Sequence, residues 1–213
     1  MKYAVKLKPI IRLSTFIVAF FLSTCGTTAG DSIREESILK HATEDKRQKY
    51  ADLLVNPAQY TTKGGDYQKT YHRHLIGVAG EITEKRGLVI VPGTVGFYYD
   101  KKSNDKSRLY FGLDVLSSKS YPVNLTTEAL RQLRRDVSII IRTLNSCKSV
   151  LNEKEVVGMV IGWKWHRDAG DDFISLWIDK NDVNKYEQKE LTLEEVIQRG
   201  VITNSVGKVI RLP

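Results

Sequence analysis

Two closely spaced histidines are the first residues of this chain that suggest a chemical site. His72 and His74 are two positions apart. On a β-strand both imidazoles would lie on one side and could begin a metal site. The neighbouring sequence supplies no third ligand at a familiar spacing, so two surface histidines are the simpler interpretation. We therefore expect no metal ion and no other cofactor.

Three tryptophans fall on two neighbouring predicted strands, and they are Trp163, Trp165 and Trp177. An indole buries well, but its N–H needs an acceptor, so tryptophan favours sites that are half open to water. The three rings predict one of two arrangements. Either they form a binding platform for a sugar, a lipid or a protein, or they pack in the core beside Met159 and Ile161.

A long predicted helix carries a stripe of arginines away from its apolar face, namely Arg131, Arg134, Arg135 and Arg142. Guanidinium groups in this arrangement would bind acidic partners such as lipid head groups, lipopolysaccharide phosphates or an acidic protein. The alternative is a solvated helix face that is partly paired with Glu128 and Asp136. A solvated face is the commoner origin of such a charge pattern.

No motif in the sequence predicts an enzyme. The loop that holds Asp168, Asp171 and Asp172 lacks the spacing of a calcium-binding loop and suits a turn. No serine or cysteine stands in a nucleophile motif, and no glycine-rich phosphate loop is present. The sequence therefore favours a protein that is not an enzyme, and it leaves open a catalytic site assembled from distant segments.

The first 24 residues have the composition of an export signal. Four basic residues and no acidic one precede an apolar run over residues 13–22. This run is about half of the roughly 20 residues that a membrane-spanning helix needs, as in a secretory signal peptide. Without this segment the 33 basic residues fall to 29 against 25 acidic ones, so the net charge falls from +8 to +4. The lower charge argues against nucleic-acid binding.

The apolar run ends in Leu22, Ser23, Thr24 and Cys25, which resembles the lipobox of bacterial lipoproteins. In that family the cysteine is diacylglycerylated, the signal is cut before it, and the cysteine becomes the acylated (palmitate-bearing) N-terminus. The resemblance implies lipidation at Cys25 and a place in the cell envelope. Gly26 resembles the residue found there in lipoproteins of the Gram-negative outer membrane. Several acyl chains suffice for anchoring, since each buried CH₂ contributes about 0.8 kcal/mol.

The site of signal cleavage decides two further predictions. Cleavage after Ala29, with Thr27 and Ala29 as the small pair, would instead leave a secreted or periplasmic protein. If Cys25 is acylated, Cys147 is left as a single thiol and no intrachain disulfide forms. We expect a membrane-anchored protein that binds a protein or an envelope glycan or lipid. An accessory factor for assembly of an envelope or secretion complex is the alternative, and an envelope hydrolase is the least favoured function.

Hydrophobic patterning divides the chain into four parts. They are a signal peptide over 1–24, a lipidated tether over 25–31, an N-terminal helical segment over 32–57 and a single domain over 66–213. Alternating apolar residues predict strands over 71–83, 88–91, 94–99, 108–116, 156–165, 173–178 and 206–212. Residues 58–70 are predicted to be a loop. Pro92 and Gly93 predict a turn that joins the second and third strands as a hairpin.

One amphipathic helix is predicted to start near Thr126 or Thr127. Its apolar residues recur at helical spacing and are Leu130, Leu133, Val137, Ile140, Ile141 and Leu144. A capping box from Thr192 to Glu195 predicts a short helix that ends at Gly200, and residues 182–187 predict a helical turn. Because strands cluster instead of alternating with helices, we predict an α+β fold. In it, an antiparallel sheet of about five to seven strands packs against the one long helix.

Overall fold

A computed structural model of the chain describes residues 29–99, 105–116, 125–167 and 170–211. The predicted signal peptide, Cys25 and Asp168 lie outside these residues. The described residues form an α+β fold, which confirms the predicted fold class. Its helices are α1 (Ala29–Leu39), α2 (Glu44–Tyr50), α3 (Gly64–Thr70), α4 (His72–Gly80), α5 (Leu125–Asn145), α6 (Lys148–Leu151), α7 (Lys180–Glu187) and α8 (Leu193–Arg199). Its strands are β1 (Val89–Ile90), β2 (Gly96–Tyr98), β3 (Leu109–Leu116), β4 (Val156–Arg167), β5 (Gly170–Asp179) and β6 (Val201–Asn204).

The sheet is mixed, which corrects the prediction of an antiparallel sheet. β3 and β4 are parallel neighbours, whereas β5 and β6 continue antiparallel in the order β3–β4–β5–β6. Parallel neighbours need a long crossover connection, and α5 lies within the one between β3 and β4. The long helix thus separates two strands that the sequence pattern alone would place in a meander.

β1 and β2 do not form the predicted hairpin. Both pair antiparallel with β3 along the same edge, so they are two pieces of one interrupted strand. Pro92 and Gly93 lie between the pieces, and the N–H of Gly93 donates to the carbonyl oxygen of Asp52 at 2.8 Å. Gly93 has the positive φ, 71°, that a turn glycine adopts. The turn therefore exists, but it interrupts a strand instead of reversing the chain.

Residues 58–83 differ most from their prediction, because α3, α4 and a π-helical turn at Glu81–Lys85 replace the loop and strand. Two glycines of α4 lie where the helix touches the N-terminal segment. A Cβ on Gly77 would stand 2.5 Å from the carbonyl oxygen of Ile38, and one on Gly80 would stand 2.8 Å from the Cβ of His41. Close packing of α1 on Gly77, and of His41 on Gly80, therefore offsets the poor helix propensity of these glycines, about 1 kcal/mol each.

The hydrophobic core lies between the sheet and several helices. The apolar stripe of α5 is fully buried, as predicted, at Leu133, Val137, Ile140, Ile141 and Leu144. The side chain of Leu130 is outside the described set. The sequence predicts that α5 alone packs on the sheet, and this is wrong. α1, α2, α4 and α8 also bury apolar residues in the same core. They are Ile38, Tyr50, Leu75, Ile76, Val78, Ala79, Val196 and Ile197.

The C-terminal part follows its prediction up to α8. The capping box of α8 is present: the Thr192 hydroxyl accepts the N–H of Glu195 at 3.3 Å, and the Glu195 carboxylate accepts the N–H of Thr192 at 2.7 Å. Gly200 has a φ of −66°, so it does not end the helix in the left-handed conformation. A Cβ there would instead stand 2.5 Å from Leu176 Cδ1. The chain enters β6 directly afterwards. The strand predicted over 206–212 is wrong for the described residues 206–211, where Val209 makes only an isolated bridge with Thr203.

Candidate functional site

The strand prediction that put both histidines on one side is wrong, because both residues lie in α4. Two positions in a helix are about 200° apart around its axis. His72 is exposed, whereas His74 is half-buried with its Nε2 3.0 Å from Glu35 Oε1. The described residues contain no group of three or more His, Cys, Asp or Glu side chains placed to hold a metal ion.

Glu35, His74 and Ser149 are the residue types of a catalytic triad, but their arrangement differs from one. The Ser149 hydroxyl donates to Glu35, and it also lies 3.2 Å from the same His74 Nε2 that Glu35 contacts. His74 Nδ1 has no partner within the described ranges, although in a triad it would bind the carboxylate. Burial lowers the pKa of His74. Because Glu35 also accepts the N–H of Ser149 at 3.3 Å, the cluster joins α1 to the first turn of α6.

Two of the three tryptophans are buried in the core. Trp163 and Trp165 are 0% and 1% exposed, on the face of β4 that packs against α5. Trp165 Nε1 donates to the Oε1 of Gln132, a residue of α5, at 3.1 Å. Of the two arrangements that the sequence left open, these two rings adopt core packing.

Trp177 lies on the opposite face of the sheet. Trp177 pairs with Val160 of β4, so the two side chains lie on the same face of the sheet. Val160 is an odd number of residues from Trp163 and Trp165, whose side chains therefore lie on the other face. Its ring packs edge-on against Tyr110, with the ring centroids 5.0 Å apart, and its Nε1 donates to Ser175 Oγ at 3.0 Å. The three indoles therefore do not share a platform.

The same face carries a carboxylate that the sequence reasoning missed. Asp114 of β3 pairs with Gly162 of β4, and a Cβ on Gly162 would stand 2.1 Å from the Asp114 Oδ1. Burial raises the pKa of Asp114 to about 6, and Lys164 opposes the rise only in part. Lys164 Nζ is held by Asp171 at 2.6 Å. The sequence signal was a single aspartate in the otherwise apolar strand β3.

The arginines of α5 are exposed, as predicted, but their partners differ. Arg135 binds the buried Asp136 at 2.7 Å, as the solvated-face interpretation predicts, and Arg134 binds Glu194 at 3.0 Å. The side chain of Glu128 is not described. Arg142, at the end of the helix, has no carboxylate within ion-pair distance in the described part of the chain.

Arg142 lines a cleft of about 540 Å³ between α1, the end of α5 and the connection from α7 to α8. We call it the cationic cleft, because its described lining holds Arg34, Arg142 and Lys189 against one carboxylate, Glu187. Arg34 pairs with Glu187 at 3.2 Å. Lys189 resembles Arg142, since no described carboxylate lies within ion-pair distance of it. The cleft therefore offers two cations to an anionic ligand.

Lys189 has an unusual backbone conformation for a residue with a side chain. Its φ is 64°, the only positive value at a non-glycine position among the described residues. The N–H of Lys189 donates to Tyr186 and the N–H of Glu190 donates to Lys185, which is the Schellman pattern that ends a helix. Glycine is usual at this position, because a Cβ costs about 1 kcal/mol there. A lysine at this position departs from the usual preference for glycine, and such departures are often found at functional residues.

Comparisons of the chain with known protein families, with curated proteins and with solved structures found no match. Within the described ranges, no helix is long and apolar enough to cross a membrane.

Proposed function

We propose that this protein is a lipid-anchored component of a bacterial cell envelope with a non-enzymatic binding role. Cys25 in its lipobox-like sequence is the attachment point, and Gly26 favours the outer membrane of a Gram-negative cell. The binding role depends on one observation: Arg142 and Lys189 line the cationic cleft without a described carboxylate partner. The ligand of this cleft is an anionic group, phosphate or carboxylate, on another envelope component.

The side chains of the cationic cleft suit such a group. Arg142 presents a planar guanidinium, which binds two oxygens of a phosphate or carboxylate at once. Ser146 and Thr192 add hydroxyl groups to the lining. Arg142 also stands in the last turn of α5, where a cation stabilises the helix dipole. Any test must separate this structural role from ligand binding.

The anchor is tested by replacing the lipidated cysteine. We expect Cys25→Ala to abolish incorporation of radiolabelled palmitate and to release the protein from the membrane fraction, because the acyl chains supply the anchoring energy. Cys147→Ala is the control, since that thiol is fully buried and lies outside the lipobox-like sequence. Membrane retention of Cys25→Ala would contradict the anchor, and retained export with cleavage after Ala29 would favour the secreted alternative.

The cleft is tested with inorganic polyphosphate as the probe. We expect Arg142→Gln combined with Lys189→Gly to weaken its binding at least tenfold, because charge-assisted hydrogen bonds contribute about 1.5–3 kcal/mol each. Calorimetric titration at low salt measures the affinity. Lys189→Gly should also raise the free energy of unfolding by about 1 kcal/mol, since glycine tolerates the positive φ. This gain offsets the loss of the Arg142 cation from the C-terminal end of α5, about 0.3–1 kcal/mol, so the double variant should stay folded and lost binding would report on the cleft.

The control for this titration removes two cations elsewhere. Arg108 and Lys154 lie near the N-terminal end of α7, whereas Lys189 follows its C-terminal end. Arg108→Gln with Lys154→Gln should leave polyphosphate binding within about twofold of the unchanged protein. An equal loss in both double variants would mean that net charge, not the cleft, attracts the anion.

A further inference from the structure

We infer that the cationic cleft faces the bilayer that holds the anchor and binds the phosphate groups of its anionic lipids. This inference rests on the proposed attachment through Cys25. It names the partner of the cleft as the membrane surface itself.

The covalent distance from the anchor to the cleft is short. Four residue steps separate Cys25 from Ala29, where α1 begins, and they span at most about 14 Å. Five further residues along α1 lead to Arg34, a rise of about 7.5 Å. The Cα of Arg34 therefore lies within about 22 Å of the Cα of Cys25. An acylated Cys25 stands at the membrane surface, so this end of α1 stands near it too.

α1 is fixed to the rest of the domain, so the anchor also constrains the orientation of the domain. Ile38 of α1 is 3% exposed and contacts α4 at Gly77. Glu35 binds the backbone N–H and the hydroxyl of Ser149 at the start of α6. Arg34, the residue next to Glu35, binds Glu187, the last residue of α7. The cationic cleft thus shares a wall with the helix that leads to the anchor.

The charges of the cleft complement an anionic lipid surface. Arg34, Arg142 and Lys189 face one carboxylate among the described lining residues. Arg142 and Lys189 are exposed, so a phosphate that is fixed in a bilayer can reach them. Because the anchor holds the domain at the surface, each contact can be weak in isolation and still be occupied.

The test uses the chain from residue 25 onward with Cys25→Ala, which contains every described residue and has no acyl chains. We expect this protein to co-sediment with phosphatidylglycerol vesicles at low salt. With phosphatidylcholine vesicles the protein should remain in the supernatant. Arg142→Gln with Lys189→Gly should lower the partition coefficient about thirtyfold, as the loss of two cations at a membrane surface predicts. Arg108→Gln with Lys154→Gln is the matched control and should lower it less than threefold.

The outcomes separate this inference from the proposed function. Polyphosphate binding that depends on the cleft, without binding to phosphatidylglycerol vesicles, would overturn the lipid partner and leave an anion-binding protein. The partner would then be a soluble or protein-borne anion. Vesicle binding that falls equally in both double variants would also overturn the inference, because the cleft would have no special part. Palmitate labelling of Cys25 reports on the anchor independently of both results.

Discussion

Replacing Gly77 with alanine is expected to detach α1 from the domain while the sheet and α5 stay folded. The new methyl group would stand 2.5 Å from the carbonyl oxygen and 2.7 Å from the Cγ2 of Ile38. A backbone atom cannot move aside as a side chain can, so α1 must shift as a whole. We expect a cost of about 3 kcal/mol, which exceeds the gain of about 1 kcal/mol in helix propensity of α4. Once detached, an 11-residue helix is too short to persist alone.

Hydrogen exchange and limited proteolysis measure this detachment. Amides of α1 should lose protection in Gly77→Ala, and proteases should cut within residues 29–39, while amides of β4 and β5 stay protected. Glu36→Ala is the control, because Glu36 is an exposed residue of α1. If Gly77→Ala proved more stable than the unchanged protein, α1 would not pack on α4 as described. Detachment would also remove Arg34 from the cationic cleft and weaken polyphosphate binding.

Replacing Asp114 with asparagine is expected to stabilise the protein at neutral pH. Burial raises the pKa of Asp114 to about 6 from an ordinary value of 3.8. Between these two pH values the carboxyl of Asp114 is protonated in the folded state and ionised in the unfolded state. Stability contributed by the protonated form is present below pH 3.8 and is lost as the pH rises through about 6. Above pH 6 the carboxylate is charged in the folded state, and its burial lowers the free energy of unfolding by the full amount.

The size of this effect follows from the pKa. A shift of about two pH units corresponds to about 3 kcal/mol, which partial exposure of Asp114 reduces to about 2 kcal/mol. Asp114→Asn removes the charge and keeps the shape, so its midpoint in urea should rise at pH 7.5 and match the unchanged protein near pH 3.5. If Asp114→Asn and the unchanged protein had the same midpoint at pH 7.5 as well as at pH 3.5, burial of the Asp114 carboxylate would not destabilise the protein. Increased stability together with weaker vesicle or polyphosphate binding would indicate a functional carboxylate.

Local patterning was enough to locate the elements whose burial follows one simple period. The stripe on α5 from Leu133 to Leu144 and the capping box of α8 are visible in neighbouring residues alone. The β4–β5 hairpin is likewise contiguous in the chain. These features need no knowledge of distant contacts.

The failures come from contacts between distant segments. The strand predicted over 71–83 runs through Gly77 and Gly80. The contacts of these glycines with Ile38 and His41, which favour a helix there, come from residues far away in the sequence. The parallel pairing of β3 with β4 depends on the path of the connection between them, which apolar periodicity does not encode. The alternation of apolar residues also predicted the two strands that carry Trp163 and Trp177. It did not predict the register between them, which decides the face of the sheet on which each ring lies.

The candidate site was only partly visible for the same reason. Arg142 was found because it belongs to a repeated pattern in one helix. Arg34 and Lys189 come from segments more than 150 residues apart in the printed sequence, and their convergence depends on the docking of α1 beside α7. The positive φ of Lys189 has no signature in its residue type, which is usual for helices rather than for their left-handed ends.

If the protein is exported to an oxidising compartment, as proposed, the burial of Cys147 has a consequence for its lifetime there. Cys147 lies between α5 and α6 with its side chain 0% exposed, and burial raises the pKa of its thiol. Oxidants and disulfides react with an accessible thiolate, so burial of this thiol protects the folded molecule from both. A molecule that opens exposes a thiol with no intramolecular partner among the described residues. Its thiolate can then attack a disulfide in the surroundings, which forms a mixed disulfide and releases the other sulfur as a thiol. The rate of global opening, more than the equilibrium stability, would then set how long each copy survives.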